Sequence, residues 1–150
     1  MKIKIVIDQK YKEPEIHVCH KEADKMVYGI VENLNSLYEK QLVAIDCWGN
    51  KCILTVGKIS RIYAQKQKVY AVSENQTYEL SKKLYELEGE LDASTFIRIS
   101  KSEIINMHKI KMVDMNTVGT IKVIMQDGAE TYTSRRNVTR LKKALEGEIR

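Results

Sequence analysis

From Leu42 to Ser134 the apolar residues recur at every second position, in short runs that each end on a turn signal. The runs are LVAIDCW, KCILTV, KISRIYAQ, VYAVS, TYEL, FIRI, KIKMVD, TIKVIM and TYTS. A period of two places alternate side chains on opposite faces of a pleated strand. Parallel strands need a crossover of about a dozen residues or more, and most of these runs lie much closer together than that. Many short, closely spaced strands therefore call for antiparallel sheets. Gly49-Asn50, Glu74-Asn75-Gln76 and Asp127-Gly128 fall between runs as turns. The fold class is mainly β, α+β overall.

Helical spacing interrupts this pattern twice. In 81–91 (SKKLYELEGEL), Leu84, Leu87 and Leu91 share a face behind a Ser81 cap. In 137–146 (NVTRLKKALE), Asn137 is the expected cap, with Gly147 just past the end. The segment 102–106 (SEIIN) reads as a short helical turn or bend.

The first 41 residues read differently. Residues 2–8 (KIKIVID) and 15–20 (EIHVCH) alternate like strands, on either side of a turn holding the only proline, Pro14. Met26, Val27, Ile30, Val31, Leu34, Leu37 and Tyr38 then recur at helical spacing, predicting an amphipathic helix over 22–40 that Asp24 can cap. The expected organisation is a β-β-α unit over 1–41, for packing or dimerisation, and a β domain over 42–150.

Composition narrows the function. No apolar run approaches the roughly 18 residues that span a bilayer, and the N-terminus lacks a signal-peptide core, so a cytoplasmic protein is expected. Cys19, Cys47 and Cys52 form no C-x-x-C pair and read as small buried thiols. His17, Cys19 and His20 face both sides of one expected strand and cannot close a tetrahedral site, so no metal or other cofactor is expected. No phosphate-binding glycine loop, zinc-protease or nucleophile-elbow motif occurs, and no enzyme is expected.

The charge is one-sided. Residues 1–94 hold 14 basic and 14 acidic residues; residues 95–150 hold 11 basic and six acidic, which is the whole excess of +5. A localised basic field is the footprint of a polyanionic partner. Three basic segments lie at strand ends. Lys66, Gln67 and Lys68 join two strands. Arg98, Ser100, Lys101 and Ser102 close another, with hydroxyls and an ammonium suited to phosphates and base edges. Arg135, Arg136 and Asn137 follow Ser134 at the start of the last helix, where backbone N–H groups favour anions. Arginine is the side chain best matched to guanine O6 and N7. These segments point to duplex DNA.

The segments F-I-R-I-S-K-S-x-I-I-N (96–106) and S-R-R-N-V-x-x-L-K (134–142), with I-S-R-I-Y-A and S-K-K-L-Y-E-L ahead of them, resemble the LytTR family of bacterial DNA-binding domains over about residues 45–146. The resemblance implies an elongated fold of antiparallel sheets and a transcription regulator whose loops enter successive major grooves. It assigns base reading to Gln67, Lys101 and Arg136. The best-known members usually carry His and Asn at the first two positions, so their base preference does not transfer. M-K-I-K-I-x-I-D and E-P-E-I look like the family's stand-alone subgroup, and 41 residues leave no room for a receiver domain. A homodimer, at least on DNA, is expected. Two other readings remain open at this point: a single-stranded nucleic-acid or RNA-binding module, which would stack bases on exposed tyrosines, and a small-molecule-binding domain.

Overall fold

The computed structural model describes residues 2–148, without the side chains of 35–38 and 148. Arg150, counted in the basic third, and the side chains of Leu37 and Tyr38 lie outside the described residues. The chain divides into two compact units, residues 1–39 and 40–150.

In the first unit, α1 (Lys25–Tyr38) starts where Asp24 accepts from the N–H groups of Met26 and Val27, both at 3.0 Å. This cap satisfies two of the backbone donors that a helix start leaves unpaired. The strands expected over 2–8 and 15–20 do not form. Ile3, Ile5 and Ile7 are all more than 80% exposed. A two-stranded ribbon is marginal alone, and the described residues of this unit offer no further strand to complete a ladder. His17 instead bonds Glu15 and His20 bonds the Glu22 carbonyl.

Among its described residues the second unit contains ten strands: β1 (Gln41–Ile45), β2 (Lys51–Thr55), β3 (Ile59–Gln65), β4 (Lys68–Ser73), β5 (Gln76–Leu80), β6 (Phe96–Ser100), β7 (Glu103–Asn106), β8 (Ile110–Asp114), β9 (Lys122–Met125) and β10 (Glu130–Tyr132). Helix α2 (Leu84–Glu90) lies between β5 and β6, and α3 (Val138–Glu148) follows β10. Seven strands form one sheet in the order β2-β1-β5-β4-β3-β7-β6, and three form another, β10-β9-β8; every pairing is antiparallel.

Two apolar cores flank β6 and β7. On one side Phe96 and Ile104 pack with Ile59, Ile62, Leu84 and Leu87 under α2. On the other, Ile97, Ile99 and Ile105 pack with Ile121, Val123, Met125 and Leu141, which brings in β9 and α3. This explains why 103–106 is a strand rather than the helical turn expected. All four residues of β7 are buried, so the segment lacks the alternation that marks a one-sided strand. Buried Glu103 joins the sheets by accepting from Arg61 Nη1 at 3.2 Å and from the Thr131 hydroxyl.

Other boundaries shift for local reasons. Ser81 does not cap α2. The cap is Lys83, whose N–H donates to Glu86 Oε2 at 2.7 Å, because the acid three residues on supplies the acceptor. Asn137 lies in a 3-10 turn (Arg135–Asn137) ahead of α3, and its amide donates to Ser134 Oγ at 2.8 Å. Cys19 and Cys47 are exposed rather than buried; Cys47 sits in a turn that Asp46 organises through the N–H groups of Trp48 and Asn50.

Candidate nucleic-acid interface

The topology collects the three basic segments at one end of the seven-stranded sheet. β3 ends at Gln65 and β4 begins at Lys68, so Lys66-Gln67 is the first loop. β6 ends at Ser100 and β7 begins at Glu103, so Lys101-Ser102 is the second. β3 and β7 are neighbours, and Ala64 N–H donates to the Ser102 carbonyl at 2.8 Å, which seats the second loop beside the first. The third segment is fastened to the same end, where Ser134 N–H donates to the Ile99 carbonyl at 2.8 Å. Thr133, buried just before it, accepts from Ile121 N–H at 3.0 Å through its hydroxyl.

The first loop has positive φ at both central residues, Lys66 (49°) and Gln67 (66°). A two-residue hairpin needs this mirror-image turn to follow the twist of its strands, and Glu74-Asn75 adopts it at the other end of β4. Neither Lys66 nor Gln67 is glycine, so the turn costs roughly 1–2 kcal/mol per residue in backbone strain. In return it carries two long polar side chains at its tip, where Asn-Gly would carry almost none. Lys66, Gln67, Lys101, Ser102, Arg135 and Arg136 are all exposed.

Two of the expected contact residues are committed elsewhere. Lys68 Nζ bonds Glu79 Oε2 at 3.0 Å, and this hydrogen bond and its attraction hold the ammonium pKa above its ordinary value. Arg98 is largely buried, its side chain 18% exposed. Its Nη1 donates to Glu88 Oε2 at 3.0 Å, its Nε to the Ser100 carbonyl at 2.8 Å and its Nη2 to the Lys101 carbonyl. Arg98 therefore shapes the second loop from behind. Glu88 also accepts from Arg140 Nη1 of α3 at 3.0 Å. Burial works against its ionisation, but the hydrogen bonds from Arg140 and Arg98 prevail and hold its pKa below the ordinary glutamate value.

The structure adds two residues that the sequence reading missed. An open cleft of about 440 Å³ between the first two loops is lined by Gln67, Lys68, Arg98 and Lys101, and also by Lys83 and Tyr85 at the start of α2. Lys83 is exposed and Tyr85 is 71% exposed. The signal was the basic pair Lys82-Lys83, which in one dimension is indistinguishable from an ordinary solvated helix start. β5 delivers it to the basic end because Leu80 pairs with Val69 beside Lys68. Acidic turn residues collect at the opposite end: Glu74 follows β4, Asp92 precedes β6, and Asp127 bonds Ser60 at the start of β3.

Against known proteins, the family model described as the LytTr DNA-binding domain matches residues 50–146. The chain belongs to the LytTR family of DNA-binding domains. A solved structure described as the LytTr DNA-binding domain of a methyl-accepting/DNA response regulator from Bacillus cereus superposes with a TM-score of 0.66 at 25% identity, covering 71% of this chain and 97% of that one. Uncharacterized HTH-type transcriptional regulators of Staphylococcus aureus strains MSSA476 and NCTC 8325 are each 30% identical over 145 residues, 97% of this chain and 98% of theirs. Their names say HTH-type, yet no two α-helices are consecutive among the described residues of this LytTR chain. Its candidate interface is built from strand ends. The LytTR family is a class of DNA-binding domains in transcription regulators, not an enzyme class. No helix among the described residues is long and apolar enough to cross a membrane.

Proposed function

We propose that the chain is a cytoplasmic transcription regulator that binds duplex DNA sequence-specifically through residues 42–150. Gln67, Lys101 and Arg136 read base edges in successive major-groove segments. Lys66, Lys83 and Arg135 sit on phosphates, and Ser100, Ser102 and Asn137 supply short polar groups beside them. The observation that carries this reading is the pair of backbone hydrogen bonds, Ala64 to Ser102 and Ser134 to Ile99, which fasten three basic loops side by side. A single-stranded ligand would need a platform of free aromatic faces. Tyr63 and Tyr70 instead pair with each other, centroids 5.5 Å apart, and the cleft between the first two loops is lined by a single aromatic residue, Tyr85.

Competition between a selected duplex and either of its strands tests the class of ligand; efficient displacement by the single strand would overturn the reading. Lys66→Ala should weaken selected and random duplexes alike. As a lost phosphate contact it should lower the slope of log K against log salt by about 0.9. An unchanged slope would remove Lys66 from the interface.

The DNA-bound form is a homodimer on two half-sites about one helical turn apart. One small domain touches few base pairs, and a second copy multiplies specificity through effective concentration. Residues 1–41 hold the copies together, since the loops must stay free and α1 carries an apolar stripe. Sedimentation of the whole chain and of residues 42–150 at micromolar concentration, each with and without a two-site duplex, checks this. Binding of one half-site as tightly as the full repeat would exclude it.

A further inference from the structure

Glu88 stands on α2, outside the three loops, yet each of its carboxylate oxygens takes a different arginine. Oε2 accepts from Arg98 and Oε1 from Arg140, both at 3.0 Å. Arg98 passes this constraint to the second loop, because the same guanidinium holds the carbonyls of Ser100 and Lys101. Arg140 passes it to the third, because it stands in the first turn of α3, four residues past Arg136 in the 3-10 turn that leads directly into that helix. The platform has its own anchor: Leu84, Leu87 and Leu91 are buried in the core and hold α2 and its C-terminal end there.

We propose that Glu88 is a positioning residue for DNA recognition, one carboxylate that fixes the spacing between Lys101 and Arg136 through Arg98 and Arg140. This rests on the duplex-reading role argued above. A planar guanidinium with donors committed to a carboxylate and two carbonyls has little torsional freedom, so the turn it holds has one arrangement. Without Glu88 the largely buried Arg98 loses its counter-charge and its fixed direction, and the Lys101 turn is released. The two arginines outweigh the single carboxylate, so the network orients the loops without cancelling their attraction for phosphate.

The charge balance separates positioning from a structural role. Glu88→Gln adds one net positive charge. Binding to random duplex should hold or rise, while binding to the selected duplex falls by about tenfold, the worth of one good base contact. Simple destabilisation would lower both together, and an inert residue would leave their ratio unchanged; either result overturns the proposal. Two charge-conserving variants divide the network. Arg98→Lys should blur preference at the base read by Lys101, and Arg140→Lys at the base read by Arg136, with the melting temperature recorded for each. These two also carry the test if Glu88→Gln does not fold, and preferences intact in both would overturn the proposal. A wild-type chain that does not discriminate among duplexes refutes the duplex-reading role itself. Discrimination retained in full by Glu88→Gln refutes only the positioning.

Discussion

Leu141→Ala is expected to destabilise the β domain by about 2–5 kcal/mol, the usual range for emptying a fully buried leucine site. Leu141 is 0% exposed and packs with Ile97, Ile99, Ile121, Val123 and Met125. It is the fully buried residue through which α3 enters the second core. The third loop leads directly into α3, so the damage should reach function as well: surviving folded protein should lose preference at the base read by Arg136 before it loses general affinity for duplex. Denaturant unfolding measures the stability, and Lys142→Ala, exposed on the same helix, should stay within about 0.5 kcal/mol of wild type. A loss below about 1 kcal/mol for Leu141→Ala would mean that α3 does not depend on this core.

Arg136→Ala is expected to lower affinity for the selected duplex by about 1–3 kcal/mol and to relax preference at a single base position. Arg136 is exposed and makes no hydrogen bond or ion pair among the described residues, so its removal should leave the fold intact. The neighbouring Arg135 provides the contrast. Its side chain lies over Gly119, 3.6 Å from where a β-carbon would stand there, and its loss should weaken all duplexes similarly. Binding to a panel of single-base variants reads both substitutions. An unchanged profile for Arg136→Ala would take this side chain out of base recognition.

Much of this arrangement is legible in the sequence because period-two alternation is a local property. Apart from β7, the strands of residues 42–134 follow from it, as does the hairpin at Asp127-Gly128, where Gly128 adopts φ 87°. The Asp24 cap is legible for the same reason. What fails is what depends on a partner. Residues 2–8 and 15–20 carry the strand pattern but find no ladder in their own unit, so propensity alone does not make them strands. β7 carries no alternation because it is buried on both faces, a fact about the second core and not about Glu103–Asn106 themselves.

The interface divides in the same way. The three loops can be located from sequence because basic and hydroxyl residues mark strand ends. The division of labour within them cannot. Arg98 and Lys101 look equivalent in the string R-I-S-K, but strand alternation and the turn direct Arg98 toward α2 and leave Lys101 exposed. Lys83 joins the cleft only because β5 returns to the basic end of the sheet.

On the reading proposed above, the loops at this end of the sheet read a DNA sequence. Selection of bound duplexes from a random pool at moderate salt tests it most directly, with the chain lacking the side chains of Gln67, Lys101 and Arg136 (all to Ala) run in parallel. The wild-type chain should enrich a defined motif, repeated at about one helical turn, and the triple variant should still retain duplex but enrich nothing. Equal enrichment of the same motif by both proteins, or none by the wild-type chain, would contradict it.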